Sequence, residues 1–393
     1  MHGEHHVFED RCLFANYHEV RKQLISNLSF KSSPGLRSKG SWLDRISSRR
    51  RPTVGEDGGP LDIFSELKSA QQVLIVPSDR VGGLFLGAPV IKMVRQSYPN
   101  AHIGLLVGEA QVPIARLIPD VDEVVAVEFD QALWTGAFRK AEEELQRKNI
   151  DLLICLGFDC SYRLAQLCRG SGAKLRVGFA RDGTDLFNVE VVSRNRAMYE
   201  ELQYRSLLNA IGIQGEAEFR WSPVDENAEK TCEHHLGQGG RSLIVALDMS
   251  KGEGKGLNKR QFDDIVNLVV KRGARALLFF SLAEKKIVNY LKEKYGDQVI
   301  PCSADDLLVA AALVQRSQVL IAANTDILHL AVSLKAPVIG LFAENPARWI
   351  AAGNRFVQCL YFENFRAISL AEIAAGLDRV LSEKVRSEKT ESG

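Results

Sequence analysis

The chain has 393 residues, 46% hydrophobic and 25% charged, with 50 Lys and Arg against 49 Asp and Glu for a net charge of +1. That length supports two or more domains, each burying its own core. The balanced charge argues against a nucleic-acid binder, and no apolar run approaches the roughly 20 residues of a membrane span.

The N-terminus, MHGEHHVFEDRC, lacks the apolar core of a signal peptide. These features predict a cytoplasmic protein, or one touching the inner face of the cytoplasmic membrane at its surface. Residues 1–65 differ in composition from the rest, with a basic stretch at Arg37–Pro52 followed by GEDGGP. They read as a polar, partly disordered extension. The alternative is a contact for anionic lipid head groups, with Trp42 and Ile46 as apolar anchors.

From Gln72 the pattern alternates. Strand-like runs at Val73–Pro77, His102–Val107, Glu123–Glu128 and Asp151–Leu156 are separated by helix-length segments at Leu84–Tyr98 and Gln131–Lys148. Such alternation predicts βαβ units in a parallel sheet, and near-continuous apolar strands predict a sheet covered on both faces. A helix over Arg196–Ile213 and a polar linker over 214–240 interrupt it. The alternation restarts with strands at Ser242–Asp248, Ala276–Ser281, Gln298–Pro301, Gln318–Ala323 and Pro337–Phe342, with helices at Lys259–Lys271 and Ala304–Gln315 between them. The predicted organisation is α/β: an extension at 1–65, a Rossmann-like domain at 66–213, a linker at 214–240, a second Rossmann-like domain at 241–367, and a C-terminal helix and tail at 368–393. No internal sequence repeat is visible.

The seven cysteines include no CxxC pair, and several lie in apolar runs, as Cys155 does in LLICLG. They read as buried thiols rather than disulfides. Cys232-Glu233-His234-His235 lacks a second ligand pair at zinc-site spacing and reads as a solvated helix face.

In open parallel sheets, ligands bind beyond the carboxyl ends of the strands. No GxGxxG or GxxxxGK[ST] follows any strand, which argues against a dinucleotide dehydrogenase and a P-loop NTPase. The loop Ser250–Arg260, SKGEGKGLNKR, bares backbone N–H groups at three glycines and carries Lys251, Lys255 and Lys259. It suits a diphosphate, or is simply a solvated loop. In NTDILH (Asn324–His329), Asn324 or Thr325 can cap a helix whose free N–H groups attract anions. Its alternative is an ordinary capped helix with a packed His329. In the first domain, Gly82-Gly83 permits close backbone approach to a ligand. Asp79, Arg80, Glu109 and Asp159 are charged groups in the loops after strands.

Over residues 72–385 the chain resembles glycosyltransferase family 9, the lipopolysaccharide heptosyltransferases. The likeness rests on VLIVPSDRVGGLFLGAPVIKMVRQSYPNAHIGLLV, KLRVGF, YRSLLNAIGI and IAANTDILHLAVSLKAPVIGLF, in that order. It implies a GT-B fold, two doubly wound domains facing a cleft. A nucleotide-sugar, typically ADP-heptose, would sit on the C-terminal domain and a lipid-linked saccharide acceptor on the N-terminal one. Transfer would invert the anomeric centre and need no cofactor or metal.

The same resemblance implies that Ser250, Lys255, Glu284, Asn324, Thr325 and His329 bind the donor. Lys255 would meet the diphosphate and Glu284 the ribose hydroxyls. Gly82 and Gly83 would form the turn near the acceptor. Of the family's Lys-x-Trp-Pro only Lys255 survives, with Leu257 and Asn258 in place of Trp-Pro, and three further positions depart from the family pattern. Asn324 replaces an Asp. Asp326 replaces a Gly or Ser, which favours the helix start but repels a diphosphate. Gly83 replaces the carboxylate proposed as general base, so Asp79 in the same loop becomes the candidate base. A second reading follows from Gly83: a GT-B protein that has lost catalysis and serves as a nucleotide-sugar-binding or scaffold subunit.

Overall fold

The computed structural model describes residues 62–77, 81–128, 135–157, 161–180, 186–192, 198–215, 226–237, 243–250 and 256–391. The basic stretch at 37–52 and the candidates Asp79, Asp159 and Lys255 lie outside them.

The first half opens with helix α1 (Ile63–Ser69) and strand β1 (Gln72–Val76), then α2 (Val81–Ser97), β2 (His102–Gly108), the single turn α3 (Val112–Ala115) and β3 (Glu123–Val127). It continues through α4 (Gly136–Arg147), β4 (Leu152–Cys155), α5 (Tyr162–Gly170), β5 (Leu175–Phe179), β6 (Val189–Val191) and α6 (Glu200–Ala210). After α7 (Glu226–Leu236) the second half runs β7 (Ile244–Asp248), α8 (Lys259–Val270), β8 (Arg275–Phe280), α9 (Lys285–Tyr295), β9 (Val299–Ser303) and α10 (Leu307–Arg316). It ends with β10 (Val319–Ala322), α11 (Asp326–Ser333), β11 (Val338–Phe342), β12 (Val357–Tyr361) and α12 (Leu370–Glu391).

The strands form two six-stranded sheets, ordered β3-β2-β1-β4-β5-β6 and β12-β11-β10-β7-β8-β9. The pairings within both sheets are parallel. Counted from its own first strand, the second sheet repeats the order of the first, although the sequence shows no repeat. Central strands such as β4, β7 and β11 are buried at every residue, as expected where helices cover both faces. The alternation missed β5, which is buried throughout, and the outer strands β6, three residues long, and β12, only half-buried.

Local chemistry sets the helix starts. Asn258 and Gln261 form a reciprocal capping box at α8, and Asp306 accepts from two N–H groups at the start of α10. Two boundaries differ from the sequence expectation. Helix α1 begins inside the 1–65 extension, capped by Asp62, and its Leu67 is wholly buried with its carbonyl accepting from Tyr98 Oη at 2.9 Å. Helix α7 lies inside the expected linker and packs on α10. The sequence also places Cys232 on a solvated face. The structure instead buries it against α10, with Arg316 Nη1 3.2 Å from its sulfur, because the apolar side of α7 carries Ala228 and Cys232. Cys155, Cys168 and Cys302 are also buried free thiols.

The two halves share one apolar cluster that contains Leu84, Val90 and Ile91 of α2 together with Ile327, Leu328 and Leu330 of α11. These helices, each following a central strand of its sheet, bring the carboxyl ends of the two sheets together.

Deleting residues 1–61 leaves Asp62 and α1 in place and is expected to change the melting temperature little. Deleting 1–70 removes Leu67 and should cost about 2–5 kcal/mol, the range for emptying a buried leucine site. Denaturant titration of both truncations checks this; equal losses would show that α1 is not the first element of the core.

Candidate active site

In both sheets the strand order reverses between the first and fourth strands, β1 and β4 or β7 and β10, and such switch points open a crevice at the carboxyl ends. At the second switch point β7 ends in Asp248, a carboxylate only 2% exposed. Its Oδ2 accepts from Thr325 Oγ1 at 2.5 Å and its Oδ1 from the Ser250 N–H at 3.0 Å. Thr325 is also the N-cap of α11, accepting from Leu328 N. One hydroxyl thus joins the loop after β7 to the loop after β10.

Burial pushes the Asp248 carboxyl above the ordinary carboxylate range. Hydrogen bonds from Thr325 and Ser250 oppose this, and the neighbouring Asp326 charge adds to it.

Asn324 Oδ1 lies 3.0 Å from His329 Nε2, one turn into α11. His329 is 6% exposed and meets the Trp349 ring edge-on, with centroids 5.9 Å apart. The Arg348 guanidinium lies 4.3 Å over that ring and pairs at 3.5 Å with buried Glu200 on α6, which also accepts from Tyr204 Oη. His329 is therefore a packed residue that orients Asn324 and ties the second domain to the first. A cavity of about 370 Å³ adjoins it, walled by Phe85, Pro89, Tyr199, Val332 and Phe356 among others.

Gly82 presses directly on the His329 ring: an added Cβ would lie 2.7 Å from Cδ2. Its N–H, in the first turn of α2, donates to Asp326 Oδ1 at 2.9 Å across 244 residues of sequence. Gly83 is the next residue of α2 and has no side chain to offer.

The structure thus brings Ser250, Asn324, Thr325, His329 and Gly82 into one connected group. Glu284 closes the short turn Leu282–Glu284 that follows β8, the strand beside β7. Its Oε2 accepts from Ser281 Oγ at 2.5 Å and Ser281 N at 3.1 Å, so the carboxylate is held inside a capping box. Glu109 is exposed at the end of β2, outside this group. Among the described residues no three His, Cys, Asp or Glu side chains converge to hold a metal ion. No helix there is long and apolar enough to cross a membrane.

Sequence reasoning missed Asp248, the pivot of the group. Its signal is a single carboxylate closing the apolar run SLIVALD at the carboxyl end of a strand.

A raised carboxyl pKa means that Asp248 contributes most stability below the ordinary carboxylate range and loses it as pH rises through its own higher pKa. Asp248→Asn is neutral throughout. Its stability relative to the parent is expected to improve as pH rises from acidic to neutral, read by denaturant titration across pH; a difference independent of pH contradicts this.

Residues 138–370 match the family model for glycosyltransferase family 9 (heptosyltransferase), more than half of the chain. The lipopolysaccharide core heptosyltransferase OpsX of Haemophilus influenzae is 20% identical over 304 residues, covering 75% of this chain and 85% of that one. In fold, the chain is similar to a glycosyl transferase family 9 protein of Veillonella parvula, with TM-score 0.70, 16% identity and coverage of 81% of this chain and 99% of that one. It is also similar to E. coli ADP-heptose LPS heptosyltransferase II, with TM-score 0.66, 16% identity and coverage of 80% and 99%. With its two facing parallel sheets and its family match across the second switch point, the chain belongs to glycosyltransferase family 9, the heptosyltransferase family.

Proposed function

We propose that this chain transfers heptose from a nucleotide-sugar, ADP-heptose, to a lipopolysaccharide-type saccharide acceptor, with inversion and without a metal, at the inner face of the cytoplasmic membrane. The observation that carries this reading is the clustering of Ser250, Asn324 and Thr325 at the second switch point, beside the positive N-terminal end of α11. The relatives support the substrates. OpsX is named for the lipopolysaccharide core, and E. coli heptosyltransferase WaaC has been solved with ADP and with ADP-2-deoxy-2-fluoro heptose.

The acceptor hydroxyl oxygen attacks the anomeric carbon, the bond from that carbon to the diphosphate oxygen breaks, and the hydroxyl proton passes to a base. Positive charge and backbone N–H groups hold the departing diphosphate. Lys255 fills the first role and the start of α11 the second, with Glu284 taking the ribose. Gly83 cannot accept a proton, so Asp79, in the loop between β1 and α2, takes the base role. A second reading, a catalytically lapsed binding or scaffold subunit, draws its support from the bare Gly83.

Lys255→Ala is expected to weaken ADP binding by about 1.5–3 kcal/mol, the worth of a charge-assisted hydrogen bond, in calorimetry. Unchanged affinity in a folded variant refutes the assignment. Asp79→Asn should reduce transfer by roughly 10²–10⁴-fold with donor affinity little changed. Transfer at the parental rate removes Asp79 from the mechanism. A parent that binds ADP-, UDP- or GDP-sugars but transfers none of them supports the scaffold reading.

A further inference from the structure

Asp326 is the first residue of α11, in the second domain, and Gly82 the second residue of α2, in the first. Each helix begins with backbone N–H groups that have no partner within the helix and a positive dipole end. The carboxylate on the first residue of α11 reaches the start of α2, with Oδ1 accepting from the Gly82 N–H at 2.9 Å. The approach is close enough that a Cβ on Gly82 would overlap the His329 ring at 2.7 Å. Asp248, hydrogen-bonded to Thr325 on the preceding residue, feels the Asp326 charge. The loop that faces the donor therefore already holds negative charge of its own.

We propose that Asp326 is a built-in stand-in for the donor diphosphate, occupying the anion position at the start of α11 and clasping the domains through Gly82 until a diphosphate displaces it. This rests on the reading of Asn324–His329 as the donor loop. An arriving diphosphate meets like charge and a filled position, and it binds by exchange. The carboxylate leaves, and phosphoryl oxygens take the α11 N–H groups and the Gly82 N–H in its place. The bridge between domains changes from a side chain to the ligand, so the acceptor-side helix α2 registers occupancy of the donor site. Asp326 is thus a residue that sets donor affinity, and nothing in the clasp requires it to touch the reacting carbon.

The test uses the full chain and three probes: ADP, inorganic pyrophosphate and uncharged adenosine. Asp326→Gly removes both charge and acceptor and is expected to bind ADP and pyrophosphate about tenfold or more tighter than the parent, since a like charge at contact distance is removed. Adenosine affinity should stay the same. Asp326→Asn keeps an acceptor for Gly82 and should fall between the two; it decides the matter if the glycine variant does not fold. The unliganded melting temperature of Asp326→Gly should drop, and ADP should raise it by more than it raises the parent's.

Unchanged or weaker ADP binding in both variants overturns the proposal, and so does an equal gain for adenosine, which would reflect general loosening. Lys255→Ala separates the two readings: if it weakens ADP binding while Asp326→Gly does not strengthen it, the donor site stands and the clasp falls. If neither the parent nor either variant binds ADP, both fall.

Discussion

Everything in the site depends on how closely α2 and α11 approach. They are the helices that follow the central strands β1 and β10, and their N-termini meet where the two sheets face each other. Apolar side chains from both helices share one core, and Gly82 lets the helix starts meet with no side chain between them. The Glu200–Arg348–Trp349–His329 chain of contacts adds a second tie nearby. The two domains are thereby held in one relative position, and that position defines the crevice.

Within that frame, the donor side is organised by a buried charge. Placing a carboxylate in the interior is unfavourable unless it is hydrogen-bonded, and Asp248 is satisfied by Thr325 and Ser250. Those bonds fix the loops after β7 and β10 relative to one another. The same Thr325 hydroxyl caps α11, so the direction of the helix N-terminus and the register of the two loops are set by one side chain. His329 orients Asn324, fills the space beside Gly82 and lines the neighbouring cavity.

The architecture was legible because burial imposes periodicity. Strands covered on both faces must be apolar throughout, which is why the runs at β1, β4, β7, β10 and β11 stand out. Strands β6 and β12 lack that signature, the first being three residues long and the second only half-buried, whereas β5 is buried throughout but Arg176 and Gly178 interrupt its apolar run. Helix α7 was hidden for a similar reason. Its apolar face is narrow, with Ala228 and Cys232 as its buried residues, so it read as a polar linker. Of the site residues, Thr325 and Ser250 were legible as loop and cap chemistry, whereas Asp248 passed as the last residue of a strand.

Sequence alone determined the α/β class, the two-domain order, the family resemblance, the capped start of α11 and the bare position at Gly83. Those properties are local, written in the spacing of apolar residues and in short runs of neighbours. Only the tertiary structure decided that Asp326 meets Gly82, that Asp248 lies under Thr325 and that Glu200 reaches Arg348. Each of these contacts joins residues 77 to 244 positions apart. Their partners are chosen by the packing of α2 on α11 and by strand order within a sheet, and no local pattern along the chain encodes either choice.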